Sequence, residues 1–87
     1  MPGYNVTGGP DPDCQGRYAY AGKFANKPYY SRDDNNWFIW WDAALFNWTI
    51  SPVLGDATPP VWTKPNPVTG MYCPWPPAVG SPVVAAH

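Results

Sequence analysis

The side chains of this sequence that could carry chemistry are two cysteines, one histidine and six aspartates; glutamate is absent. Cys14 and Cys73 are too few and too widely spaced for a zinc site, whose ligands come in close pairs. His87 stands at a terminus, where few side chains are held rigidly enough for general-base work. Neither cysteine has an internal histidine to activate it. Asp33-Asp34-Asn35-Asn36 offers oxygens to calcium, but a calcium loop takes roughly six to eight well-spaced ligands, often with a bidentate glutamate. A solvated turn is the simpler account of this run. Asp11, Asp13, Asp42 and Asp56 are not spaced as a pair flanking one bond, the arrangement that glycoside hydrolysis needs. The expectation is a chain that is not an enzyme and that holds no metal or cofactor.

The elements must then be read for binding. With 87 residues there is room for one domain. A domain of this size buries only about 60% of the surface its unfolded chain exposes, so help from a disulfide or a partner is expected. Thirteen Pro and eight Gly point to many stiff loops, while six Trp, six Tyr and three Phe argue against disorder. A short-stranded β fold reconciles the two. Net charge is −1, and the five basic residues form no stripe, so no nucleic-acid partner is expected. No apolar run is long enough to span a membrane. Met1-Pro2-Gly3-Tyr4-Asn5 has neither the basic nor the apolar region of a signal peptide. Asn5-Val6-Thr7 and Asn47-Trp48-Thr49 match the glycosylation pattern, and both read as chance matches.

Residues 1–15 read as an extended N-terminal arm rich in turn formers. Residues 16–73 read as an aromatic-rich antiparallel β domain, a meander of hairpins. Tyr18 and Tyr20 alternate with alanines, and Tyr29-Tyr30 makes a second short strand. Trp37 to Trp41 is the strongest strand, with Trp37, Ile39 and Trp41 on one face and Phe38 and Trp40 on the other. Phe46 to Ile50 puts Phe46, Trp48 and Ile50 on one face and completes a hairpin. The β-favouring residues argue against a helix over 37–50. Val61-Trp62-Thr63 lies between prolines and reads as an edge or loop. Residues 74–87 form a Pro-rich C-terminal arm with a closing strand candidate at Val83-Val84.

The sequence also echoes itself. Gly16-x-Tyr18 with Pro28 matches Gly70-x-Tyr72 with Pro82 at a constant offset of 54, and Asn26 falls opposite Gly80. Both of those residues tolerate positive φ. On this reading the last strands begin a second unit that covers an open edge. The echo brings Cys14 and Cys73 to comparable places. A Cys14–Cys73 disulfide is one expectation and a pair of small buried thiols the other.

The series Gly16-x-Tyr18, Asn26-x-Pro28-x-Tyr30, Trp37-x-Ile39-Trp40-Trp41, Trp48-x-Ile50-Ser51, Leu54-Gly55, Trp62 and Gly70-x-Tyr72 resembles an aromatic-rich β repeat. That repeat occurs in phage structural proteins and in large surface or secreted proteins of bacteria and algae. The chain departs from it at Lys27 and in its Pro-heavy tail. The resemblance implies a surface or particle module, located on a virion or an extracellular surface.

Trp37, Ile39, Trp41, Phe46, Trp48 and Ile50 are the expected core. Phe38, Trp40, Trp62 and Trp75 are the expected binding surface, since exposed aromatic area marks contact sites. The expected function is structural assembly, as in a phage capsid decoration (cement) protein. Its arms and tryptophans would contact capsid or other particle subunits, or further copies of itself. The alternative is a carbohydrate-binding module in which Trp40, Trp62 or Trp75 stacks on sugar rings.

Overall fold

The computed structural model describes residues 3–87; Met1 and Pro2, the start of the expected arm, lie outside the described residues. The fold is all-β. Nine strands follow one another: β1 (Gly3–Thr7), β2 (Gly16–Phe24), β3 (Lys27–Arg32), β4 (Phe38–Asp42), β5 (Asn47–Ser51), β6 (Val61–Lys64), β7 (Gly70–Met71), β8 (Cys73–Trp75) and β9 (Val83–Ala86). All pair antiparallel in one sheet, in the order β7-β9-β1-β2-β3-β4-β5-β6-β8. Only Tyr72 separates β7 from β8. The two ends of the sheet are therefore one stretch of chain, which pairs with β9 through Gly70 and Met71 and with β6 through Cys73, Pro74 and Trp75. The sheet is nearly closed on itself, which leaves little free edge for unwanted pairing.

Alternation along the strands gives this wall an inner and an outer face. Trp41 opposes Trp48 and Ile39 opposes Ile50 across the hairpin expected from the sequence. Trp62 opposes Ile50 on the next strand. With Val6, Cys14, Tyr18, Tyr30, Trp37, Tyr72, Ala78 and Val84 these residues fill the interior. Trp41 and Trp48 meet edge to face at 5.5 Å, as do Tyr4 and Tyr30 at 4.8 Å. Such pairs add about 0.5–1.5 kcal/mol each beyond area burial. The outer face is also covered in part. The connection after β5 brings Gly55 against the ring of Phe24, and Phe24 in turn meets Trp40 at 5.6 Å.

The two expected arms are corrected, while the closing strand expected at Val83-Val84 is present as β9. Gly3–Thr7 is a strand between β2 and β9, and Val83–Ala86 pairs along it. The physical reason is that a sheet edge with unpaired backbone groups recruits whatever strand can reach it. The Pro-rich stretch before β9 is anchored too, by reciprocal backbone hydrogen bonds between Asp11 and Val79. The N–H of His87 donates to the carbonyl of Gly3 at 3.2 Å. Val61-Trp62-Thr63 is not an edge either, because β6 lies between β5 and β8.

The internal echo corresponds to a duplicated clamp. Tyr18 donates its hydroxyl to the Cys14 carbonyl at 2.6 Å, and Tyr72 donates to the Val68 carbonyl at 2.6 Å. Gly16 and Gly70 both hold positive φ, at 137° and 123°. The stem of Arg32 lies over Gly16 and that of Lys64 over Gly70. Arg32 then donates to the Asp13 carbonyl and Lys64 to the Pro67 carbonyl, again equivalent positions. Asn26 and Gly80 also both have positive φ.

This geometry corrects the disulfide. The counterpart of Cys14 is Val68, not Cys73. Tyr72 takes the inward position, so alternation turns Cys73 out. Cys14 is buried, Cys73 is exposed, and both thiols are free. Burial pushes the Cys14 thiol up to about 12, which keeps it in the inert, protonated form.

Candidate binding surfaces

The expected aromatic platform does not assemble. Trp62 is fully buried and donates its indole N–H to the Gly80 carbonyl at 3.1 Å. Trp40 is buried and donates to the Ser51 hydroxyl at 2.8 Å. An indole in a small barrel brings a large apolar area inside, and one satisfied N–H removes the cost of doing so. Phe38 is half-buried and tilted against Tyr29 at 6.4 Å. Trp75 alone stands out, at 49% exposure, with its N–H donated to the Thr63 hydroxyl at 2.8 Å. Phe38 pairs with Ser51 and Trp75 with Val61, and continuing the β5–β6 register one step past Ile50–Trp62 sets these pairs in one cross-strand row. Three strand spacings separate Phe38 from Trp75, roughly 14 Å, and Ser51 and Val61 between them are buried.

Comparison with known families, curated proteins and solved structures finds no match. The surface itself must therefore speak for function.

Its most exposed large apolar residue is one the alternation had placed in the core. Phe46 is 75% exposed at the tip of the β4–β5 hairpin, beside exposed Leu45. Strand β5 begins at Asn47, and Phe46 holds φ at +53° in the turn before it. A left-handed residue breaks the strand's alternation, which is why Phe46 does not follow Trp48 and Ile50 inward. The Asp42 carboxylate stiffens the turn by accepting from the N–H groups of Ala44 and Leu45. A sequence signal for this existed: an aspartate two residues before a small residue favours such a turn.

The two ends of the barrel differ in charge. The register places Lys23, Lys27, Asp42 and Lys64 at the pole with the hairpin tip. Lys27 reaches over the Trp41 ring at 5.2 Å. The opposite pole carries Asp11, Asp13, Asp33 and Asp34 with Arg17 and Arg32, beside exposed Val79 and Trp75. An open depression of about 400 Å³ lies there, lined by Asp13, Gln15, Gly16, Arg17, Arg32, Asp33 and Asp34. Arg32 is fully engaged in it. Its guanidinium donates to both Asp34 oxygens at 2.9 and 2.7 Å and to the carbonyls of Asp13 and Gln15. That fork holds Asp34 ionised down to about 2. Arg32 therefore ties loops together and offers no free cation.

Proposed function

We propose that this chain is a non-catalytic assembly module of a virion or an extracellular surface, attached through its Leu45–Phe46 tip. The observation that carries this is Phe46. A bulky residue in left-handed backbone costs about 1–2 kcal/mol, and its exposure costs hydrophobic burial as well. The hairpin that the turn closes offsets the backbone cost, but the ring stays 75% exposed, and its burial is left unmade. A partner that covers the ring would supply it. The resemblance to repeats of phage structural proteins supports a particle as the setting, and a capsid decoration protein as its specific form. Because the terminal segments lie in the sheet, the contact role expected of arms falls to the tip.

The test is Phe46→Gly. Glycine relieves the left-handed strain, so the variant is expected to be more stable by about 1 kcal/mol. It should also fail to co-sediment with the particles released by producing cells. Full occupancy of the variant on those particles would overturn the assignment.

A second reading rests on Trp75, whose half-exposed ring is fixed by its bond to Thr63. A rigid indole face suits a sugar ring. Titration with an oligosaccharide panel should then shift tryptophan emission, and Trp75→Ala should abolish the shift. A flat response across the panel removes this reading.

A further inference from the structure

We propose that the partner of the Leu45–Phe46 pole is the opposite pole of a second copy of this chain, so that molecules stack head to tail. The inference rests on the assembly reading above and names its partner.

Each pole supplies what the other lacks. The tip pole carries three lysine side chains against one aspartate. The far pole carries four aspartates against two arginines, so each pole has a net excess of two charges, of opposite sign. Arg32 and Asp34 are paired with each other there, and Lys64 at the tip pole donates to the Pro65 and Pro67 carbonyls. Lys23 and Lys27 are exposed, as are Asp11, Asp13, Asp33 and Asp34. Both poles also show apolar residues: Leu45 and Phe46 on one, Val79 and Trp75 on the other. Apposing like poles would set lysines against lysines or aspartates against aspartates. Apposing unlike poles pairs opposite charges around an apolar centre, the arrangement of specific interfaces. A contact between two different patches is heterologous, and it propagates unless rotation closes a ring.

Magnitudes fix its strength. The molecule measures 29 × 27 × 22 Å. One pole therefore offers at most about 500 Å² per partner, at the lower bound for a specific interface. Each single contact is weak, and strength comes from repetition along a stack or on a particle. Because the charges are exposed, salt must weaken it. Raising NaCl from about 20 mM to about 500 mM shortens the screening length from roughly 20 Å to roughly 4 Å.

The test is sedimentation velocity of the intact chain across protein concentration and salt. The average mass should rise with concentration at low salt and fall to the monomer at high salt. Lys27→Glu and Asp33→Lys, both at exposed positions, should each weaken association about tenfold or more, with near-UV circular dichroism unchanged. An equimolar mixture of the two variants should regain association, because each reversed pole then meets its complement. A monomer at about millimolar concentration and low salt overturns the stack, as does a mixture no better than either variant alone. If the chain is monomeric yet Phe46→Gly still drops off the particle, the stack fails and the assembly reading stands. If the chain stacks and Phe46→Gly stacks equally well, the pole pairing holds and the tip loses its role.

Discussion

Trp62→Ala is expected to remove a large share of the stability of the fold. The indole is fully buried, meets Trp37 at 5.7 Å and bonds the Gly80 carbonyl. It also bridges strands, standing opposite Ile50 on β5 and Pro74 on β8. Truncating a buried aromatic costs about 3–5 kcal/mol, and the orphaned carbonyl adds roughly 1 kcal/mol. Native domains hold only about 0.05–0.15 kcal/mol of net stability per residue, roughly 4–13 kcal/mol for a chain of this length, so the substitution removes a large share of it and, at the lower end, all of it. Thermal melts followed by near-UV circular dichroism measure this directly. A cooperative transition within a few degrees of wild type would contradict the central place given to Trp62. Trp75→Ala is the internal control, since its ring is half exposed.

Raising the pH should unfold the protein between about pH 9 and 12, with the Cys14 thiol and the clamp tyrosines Tyr18 and Tyr72 each carrying a large share of the loss. Burial pushes the phenols of Tyr18 and Tyr72 well above their ordinary value of 10.0, and Cys14 and Tyr30 up to about 12. The folded state therefore keeps protons that the unfolded chain gives up. These groups stabilise the fold fully below the unfolded value, and that contribution is lost as pH climbs past it toward the folded value. Each fully shifted group contributes about 1.4 kcal/mol per pH unit, so the two tyrosines alone remove roughly 5 kcal/mol by pH 12. Replacing either with phenylalanine should cost about 1–3 kcal/mol at neutral pH, through a buried carbonyl left without its donor. The same variants should lose stability less steeply in alkali. Denaturant midpoints across pH decide it; equal alkaline slopes in wild type and both variants would remove the clamps from the account.

Much of the fold was legible because it is local. The hairpin from Phe38 to Ser51 follows from two alternating runs of β-favouring residues, although alternation allows more than one register and the one observed sets Ile39 opposite Ile50. The echo at Gly16 and Gly70 was legible because positive φ leaves a mark in residue type. What escaped is non-local or depends on a single dihedral. Gly3–Thr7 looks like an arm in sequence, because its partners are β2 and the distant β9. Trp62 looked like an edge, because prolines flank it and nothing local reveals β8. Phe46 looked like core, because one left-handed residue undoes the alternation that Trp48 and Ile50 keep. Of the four aromatics expected at the surface, Trp75 and part of Phe38 remain accessible. A tryptophan's type says that it will be covered, not whether the cover is its own chain or another.

The hydrogen bond from His87 to Gly3 puts the two ends of the described chain side by side on neighbouring strands. A protein whose ends meet can be spliced into a single surface turn of a host without spreading the host's flanks. The same proximity allows a short peptide to join them into a circle, with new ends opened at an exposed turn such as Ala43–Ala44. The barrel thus tolerates new ends at such a turn, and its adjoining ends suit it to life as an insert as well as to life as a free chain.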